Sequence, residues 1–319
     1  MPDTIPLQNW LRYLNQEYLT TFIQDGGTAV KFVVTPDARR SDLASALQDR
    51  CMELDYLFVK LDAIETRVHM PQDIFFGLAR QIDWRLLARR RILELAAARG
   101  YQVEGIAPGL TANIYQRIAH ANNLDAQPFR IGIEQGIQDT VFKSVEMARD
   151  FRVGMFQLCL GEDVSDRTEY TGQPLLDWLT GANTRIGNVR PFSIYTGINR
   201  STARYFIESA LHWVRDVGYA GTVILLDNSR VTLSPNPRDR QRYYTRAMAM
   251  EHYELLREFV DSADHLTATL LVVSTGTEFL NEERTSKGYG AYPALQTRIM
   301  DDVRDRNLVN PVASLVRLV

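Results

Sequence analysis

The sequence predicts an α/β fold built on a parallel sheet, and three observations carry that prediction. Four short apolar runs, Ala29–Val34, Leu57–Leu61, Thr222–Asp227 and Ala268–Ser274, read as buried strands rather than half-exposed alternating ones. Stretches with apolar residues at three- and four-residue steps lie between them. The first two runs flank one such stretch within about 30 residues, the spacing of a right-handed βαβ unit.

Taken in order, residues 1–24 read as an amphipathic helix with Trp10, Leu11, Tyr13, Leu14, Tyr18, Leu19 and Phe22 on its apolar side. Gly26-Gly27 breaks it before the strand Ala29–Val34. Thr35-Pro36-Asp37 then reads as a helix start, with Thr35 as N-cap, Pro36 at the first helical position and Asp37 in the first turn. Leu43, Leu47 and Cys51 follow on one face. After Leu57–Leu61, a helical region is expected from Pro71 to Gly100. From 101 to 190 the helical pieces are broken at Pro108-Gly109, Pro128, Gly161 and Gly172-Gln173-Pro174, without strand alternation. A helix over 200–217 stops at Gly218, and Thr222–Asp227 delivers an acid at the carboxyl end of its strand. A long helix over 239–260, the strand Ala268–Ser274, a polar loop over 281–290, a helix containing Arg298 and a tail with Asn310-Pro311 complete the chain. The expected domains are residues 1–100 as N-terminal helix and first half of the core, 101–190 as a helical insertion, and 191–319 as the second half.

Composition narrows the function classes. The 319 residues are 45% hydrophobic and 24% charged, which excludes disordered and collagen-like chains. No run approaches 18 uncharged apolar residues, and Met1-Pro2-Asp3-Thr4 is not a secretory start, so a cytoplasmic location without a membrane role is expected. Cys51 and Cys159 stand apart and read as small core residues. The histidines, His69, His120, His212, His252 and His265, have no metal-ligand spacing, so no metal site is expected. The net charge of −3 argues against a wholly basic nucleic-acid coat. Only Lys31, Lys60, Lys143 and Lys287 are lysines, and the other 32 of 36 cations are arginines. That bias suits phosphate and carboxylate recognition, and a genome rich in G and C produces it equally well.

A strand followed by a turn and helix, a later strand ending in an acid, and a third ending in a small polar residue form the skeleton of a phosphate-loop NTPase. In a working site, glycines in the turn let backbone amides approach phosphates. A lysine neutralises them, a neighbouring hydroxyl holds Mg²⁺, and the distant acid orients that ion. Element order alone does not establish this, because many doubly wound sheets share it.

The chain resembles the P-loop ATP-binding family of bacteriophage-exclusion (BREX-type) and related defence loci, whose fold is similar to AAA+ ATPases. The resemblance rests on Lys31-Phe32-Val33-Val34, Phe76-Gly77-Leu78-Ala79-Arg80 and Gly218-Tyr219-Ala220-Gly221-Thr222-Val223-Ile224-Leu225-Leu226-Asp227. It continues with Ser274-Thr275-Gly276-Thr277-Glu278-Phe279, Tyr292-Pro293-Ala294-Leu295-Gln296-Thr297-Arg298 and Asn310-Pro311. The resemblance implies a parallel-sheet P-loop NTPase core with a helical insertion, Ser274 and Thr275 in a sensor-like position, and a defence context.

The chain departs from that family where phosphate would bind. In place of G-x-x-G-S-G-K-[ST] it carries Thr35-Pro36-Asp37-Ala38-Arg39-Arg40-Ser41-Asp42. The glycines are absent, Pro36 removes a donor, and Ser41 and Asp42 replace the lysine and the hydroxyl. An extra like charge at about 4 Å from phosphate opposes binding by on the order of 4 kcal/mol at an effective dielectric near 20. Arg39 and Arg40 either grip phosphate from the side or are solvated first-turn residues. Asp227 keeps the position of the family's acid, but Asn228 follows it and cannot serve as a general base.

Two further groups have paired readings. The resemblance places Arg298 where a trans-acting arginine would reach a neighbouring subunit's phosphate, and a surface salt bridge is the alternative. Arg238, Arg240, Arg242 and Arg246 interleave with Tyr243 and Tyr244, a pattern for nucleic-acid contact or for a solvated helix face over core tyrosines. The leading expectation is a catalytically degenerate scaffold or regulatory subunit with no bound cofactor. It would join a homo- or hetero-oligomeric defence complex with an active ATPase, helicase or nuclease, in contact with DNA. The rivals are an unconventional ATPase using Mg-ATP with Arg39 or Arg40 in place of lysine, and a stand-alone nucleic-acid-binding module.

Overall fold

The structure is a computed structural model that describes residues 4–109, 113–163, 171–234, 236–280, 286–300 and 310–319. Its contacts divide the chain into two units, Met1–Ile74 with Tyr219–Val319, and Phe75–Gly218. The expected insertion, 101–190, lies inside the second unit.

The first unit holds one six-stranded sheet in which every pairing is parallel. Its strands are β1 (Thr4–Ile5), β2 (Thr28–Val34), β3 (Tyr56–Asp62), β4 (Gly221–Asp227), β5 (Thr269–Thr275) and β6 (Leu315–Leu318), in the order β1-β6-β2-β5-β4-β3. The fold is α/β with a P-loop-NTPase-like core. The four strands read from the sequence are present, and β2 and β3 are parallel as expected. They are not neighbours, however, because β5 and β4 lie between them. Burial explains the placement: β5 is buried along its whole length, whereas β3 takes the edge with Lys60 exposed. The short strands β1 and β6 escaped the sequence reading.

Helices α1 (Leu7–Leu14) and α2 (Arg40–Glu53) cover one face of the sheet. There Trp10, Leu14, Leu43, Leu47 and Cys51 pack with Val33, Val223, Leu225, Leu270 and Val272. Each fully buried leucine contributes about 1.5–3 kcal/mol. On the other face Phe32 stacks on Phe279 at 6.0 Å, and Phe279 meets Tyr253 edge-on. The expected helix over 1–24 is interrupted in type: β1 precedes α1, and Asn15–Phe22 is a π-helical stretch. Thr35 does not cap a helix. It is fully buried at the end of β2, and a 3-10 turn, Asp37–Arg39, intervenes before α2.

The region expected to be helical from 71 to 100 holds two helices, α3 (Pro71–Ala79) and α4 (Trp84–Ala98), the second capped by Asp83, which accepts from the Leu86 amide at 2.9 Å. The second unit continues with α5 (Ile114–Ala121), α6 (Ala126–Ile137), α7 (Arg149–Gly161), α8 (Gln173–Thr180) and α9 (Ala203–Asp216). Its core includes Phe75, Phe151, Trp178 and Phe206 in edge-to-face contacts. Glu162, 2% exposed, is held by Arg85 at 2.7 Å and Arg89 at 2.5 Å. In the first unit α10 (Arg246–Asp261) starts later than the expected 239, with Thr245 as its cap, and α11 (Pro293–Ile299) carries Arg298. Of the polar loop expected at 281–290, residues 281–285 lie outside the described residues.

Candidate functional site

The chain leaves β2 toward β3 on one side and returns from β5 to β6 on the other, so the strand order reverses around β2 and β5. Open parallel sheets form their ligand crevice outside the carboxyl ends of strands at such a reversal. The ends of β2, β5 and β4 are tied in register. Thr35 donates its amide to the Thr275 carbonyl at 2.8 Å, and Asn228 donates to the Ser274 carbonyl at 2.7 Å. Asp227 is only partly buried, and its carboxylate accepts the Ser229 amide at 3.0 Å, which caps the exit of β4.

Around this edge the side-chain oxygens of Thr35, Ser274 and Thr275 and both carboxamide atoms of Asn228 are buried with no hydrogen-bond partner among the described residues. A dry, unpaired polar group costs about 1–3 kcal/mol. The strand ends are therefore polar, with these neutral groups beside the partly buried Asp227 carboxylate.

The β2–α2 turn sits above them. Among the described residues, none between Gly27 and Leu54 has a positive φ, so the turn has no left-handed backbone with which to build a phosphate nest. Ala38, Arg39, Ser41 and Asp42 are exposed. Arg39 lies 3.9 Å from Asp42, a solvated pair of little energetic weight. Arg40 differs from its neighbour. Its side chain is 22% exposed, its Nη2 is 2.6 Å from an Asp37 carboxylate oxygen, and its Nε is buried with no partner among the described residues. A Cβ placed on Gly276 would meet that guanidinium at 3.3 Å and the Glu278 carboxylate at 2.5 Å. Arg40 thus reaches across to the chain leaving β5. This donor set does not fit a magnesium triphosphate: it offers no glycine cradle and no lysine, its partly buried cation is paired with Asp37, and Asp42 adds an anion.

The arginines expected to touch nucleic acid are not assembled with stacking tyrosines. Arg238 and Arg240 are exposed, with φ of 57° and 63°. Arg242 donates to the Ile64 carbonyl at 3.1 Å, and Arg246 is exposed at the start of α10. Tyr244 is fully buried, its hydroxyl 2.7 Å from the Ala63 carbonyl, while Lys287 lies 3.9 Å over the Tyr243 ring. Two residues missed in the sequence order this segment. Arg230, buried, pairs with Asp239 and donates to the Arg242 carbonyl at 2.6 Å. Lys287, 2% exposed, donates to the carbonyls of Leu233 at 2.7 Å and Tyr244 at 2.5 Å. Buried cations on backbone carbonyls leave no periodic signal in a sequence.

Arg298 is bound within its own chain. It grips Asp261 at 2.9 and 3.1 Å, which holds that carboxyl below its ordinary range. Arg257 joins Asp261 to Glu254, whose pKa falls to about 2 through hydrogen bonds from Arg257 and Tyr292. Cys51 and Cys159 are buried free thiols pushed up to about 12 by burial, the behaviour of core residues. Among the described residues, no group of three histidine, cysteine or acidic side chains is placed to hold a metal, and no helix is long and apolar enough to cross a membrane.

A model of the family described as BREX system ATP-binding protein BrxC/D matches residues 95–319, which is 225 of the 319 residues. The match begins after the β2–α2 turn and includes β4, β5, β6 and most of the second unit. No curated protein and no solved structure matches the chain.

Proposed function

The chain belongs to the family of BREX system ATP-binding proteins, and from that membership we propose that it serves a phage-defence assembly as a non-hydrolysing scaffold or regulatory subunit. The family supports the defence setting. The observation that carries the loss of catalysis is the β2–α2 turn, where Arg40 paired with Asp37 stands in place of a glycine-lysine phosphate cradle. Asn228 after Asp227 supports the same reading, because a carboxamide cannot take a proton from attacking water. Turnover would then be supplied by a partner ATPase, helicase or nuclease in the cytoplasm. In this reading Arg298 is a fastening for α11 on α10, and the sheet serves as a platform for assembly.

Titrating the full chain with Mg-ATP by calorimetry tests the proposal. The expected result is no binding heat at millimolar nucleotide, and a micromolar Kd overturns it. One observation favours a second reading: the Arg40 side chain is mostly withdrawn from solvent, and its Nε beside β5 has no partner among the described residues. Under that reading nucleotide binds, and Arg40→Ala abolishes the binding while Arg39→Ala does not.

A further inference from the structure

The connection between α8 and α9, residues 181–202, holds no regular structure beyond two 3-10 turns, Ile186–Asn188 and Arg190–Phe192. Irregular connections of this length are uncommon inside a compact unit and commonly carry a function. This one is firmly held. Val189, Ile194 and Ile198 are buried beneath it. Asp150, 4% exposed at the start of α7, accepts the amides of Tyr195 at 2.9 Å and Thr196 at 2.5 Å. Gly197 lies against Ile186, whose Cδ1 would be 3.6 Å from an added Cβ, and its carbonyl accepts the Thr202 hydroxyl at 2.8 Å. The Ser209 hydroxyl ties α9 to the same place, accepting the Ala148 amide at 2.8 Å and donating to the Tyr205 carbonyl at 2.6 Å. These contacts gather residues 185–200, Arg149 and the first turn of α9 into one surface of the unit Phe75–Gly218.

That surface is basic. The 319 residues hold 39 acids, yet none falls between 178 and 207, where Arg185, Arg190, Arg200 and Arg204 lie. Asp177 and Glu208 bound this stretch, and both are partnered, by Gln173 at 2.8 Å and by Arg204 at 2.9 Å. Arg185, Arg190 and Arg200 are exposed, and the first two make no side-chain hydrogen bond or ion pair among the described residues. Arg149, 59% exposed, offsets the buried Asp150 at 2.6 Å and lays its guanidinium 5.7 Å from the centre of the Tyr195 ring. Glu146 is an exposed acid at the border. Tyr195 and Tyr205 are 60% and 61% exposed, and no other large apolar side chain is exposed from 172 to 207. The remaining exposed apolar side chains of the unit, Leu124, Ile131, Phe142 and Val145, belong to α6 and the segments flanking it. A protein-docking surface has an apolar centre. Here two separate rings stand among guanidinium groups instead. Arginine forks match phosphates, and an exposed phenol ring offers a face on which an unpaired base stacks.

We propose that this surface binds single-stranded nucleic acid, with Arg149, Arg185, Arg190 and Arg200 on phosphates and Tyr195 and Tyr205 stacked on bases. A duplex keeps the faces of its bases stacked inside, so the two rings gain nothing from it and the surface discriminates against paired strands. Contact falls in the unit Phe75–Gly218 rather than on Arg238, Arg240, Arg242 and Arg246. Binding there is independent of whether nucleotide is held above β2, so the calorimetric test and this one can fail separately. Rings and guanidinium groups placed on bases and phosphates read no base edge, so the surface tolerates sequence. Each neutralised phosphate of a single strand adds about −0.7 to the slope of log K against log salt, so four arginines set a slope no steeper than about −3.

The test is fluorescence anisotropy of labelled mixed-sequence strands titrated with the full chain at several salt concentrations. The probes are single strands of DNA and of RNA, about 20 nucleotides long so as to exceed one binding site, and the matching DNA duplex. At least one single strand should bind about tenfold more tightly than the duplex. Tyr195→Ala with Tyr205→Ala should weaken that binding about tenfold or more, whereas Tyr195→Phe with Tyr205→Phe, which keeps both rings, should not. Arg185→Ala with Arg190→Ala should flatten the salt slope by about 1.4, and Arg240→Ala should leave it unchanged. Melting temperatures within error of the parent establish that the surface variants fold. Absence of binding to both single strands overturns the proposal, as does equal affinity for the duplex or parental affinity in the double tyrosine-to-alanine variant. Displacement of the strand by polyglutamate at matched charge also overturns it and assigns the surface to an acidic protein.

Discussion

Arg230 and Asp239, nine residues apart, are joined by two hydrogen bonds of 2.6 and 2.5 Å, with the guanidinium almost wholly inside the protein. The pairing holds the Asp239 carboxyl below its ordinary range, mainly through the hydrogen bond from Arg230. Because Arg230 also reaches the Arg242 carbonyl, one side chain fixes both ends of residues 239–242. Arg230→Ala should therefore accelerate amide exchange across 239–245 while leaving β4 protected, as read by hydrogen–deuterium exchange. Unchanged protection across 239–245 would show that the segment is held by other contacts.

Restoring the two most conspicuous missing groups should not restore a nucleotide site. Ser41→Lys combined with Asp42→Thr supplies the cation and the hydroxyl, but the turn still has no residue with positive φ. Calorimetry on this variant is expected to show no micromolar Mg-ATP affinity. Recovery of such affinity would mean that backbone shape matters less than charge.

Two glycines at opposite ends of the sheet should respond differently to alanine. At Gly221 the φ is +154°, and an added Cβ would lie 2.2 Å from the Ala268 carbonyl oxygen, a backbone atom that cannot yield. Gly221→Ala should cost several kcal/mol in urea unfolding, or prevent folding. At Gly276 the obstacles are the ends of the Glu278 and Arg40 side chains, which can move, so the loss there should stay near 1 kcal/mol.

Leu47 is fully buried between α2 and the sheet, and Leu47→Ala should destabilise the protein by about 2–5 kcal/mol. Denaturant titration checks this. A loss below 1 kcal/mol would mean that the interface collapses to fill the space.

The buried His252 imposes a pH dependence. Its Nδ1 is 2.8 Å from the Val68 carbonyl, and burial lowers its pKa to about 4 from an ordinary value of 6.5. Between those values the unfolded chain binds the extra proton and the folded chain does not, so stability falls as pH drops from about 6.5 toward 4. The full loss is on the order of 3 kcal/mol. His69, also lowered by burial, adds in the same direction. His212 acts oppositely: Asp216 raises its pKa, so its contribution is present at low pH and lost as pH rises through the folded value. Urea midpoints at pH 7, 6 and 5 should decline, and His252→Asn, which keeps a donor toward Val68, should flatten the decline. Equal slopes in both proteins would assign the dependence elsewhere.

The strands that position the candidate site were legible because each is a compact apolar run, and Asp227, Ser274 and Thr275 could be placed at the carboxyl ends of theirs. What was not legible follows from non-local pairing. Nothing in Leu57–Leu61 announces that two later strands will separate it from Ala29–Val34, and Leu315–Leu318 is too short to stand out. Thr35 has the composition of a helix cap, but the strand hydrogen bond to Thr275 outcompetes that local preference. Arg39 and Arg40 are chemically alike and adjacent, yet one is solvated and the other reaches β5, a distinction made only by the direction of the first turn of α2. Tyr243 and Tyr244 read either as partners for nucleic acid or as core residues under a solvated face, and Tyr244, buried with its hydroxyl on the Ala63 carbonyl, follows the second reading.

The position of β6 has a consequence for how the molecule is made. Arg317 pairs with Val34 across 282 residues of intervening chain, and β1 has β6 as its neighbour in the sheet. At a synthesis rate of about 5–20 residues per second, β2 emerges tens of seconds before the strand that will cover its outer side. During that interval its flank is a sticky template for any passing extended peptide. Newly made copies should therefore depend on chaperone shielding or low expression temperature, and soluble yield, rather than the melting point of the finished protein, is the quantity most sensitive to changes in residues 315–318.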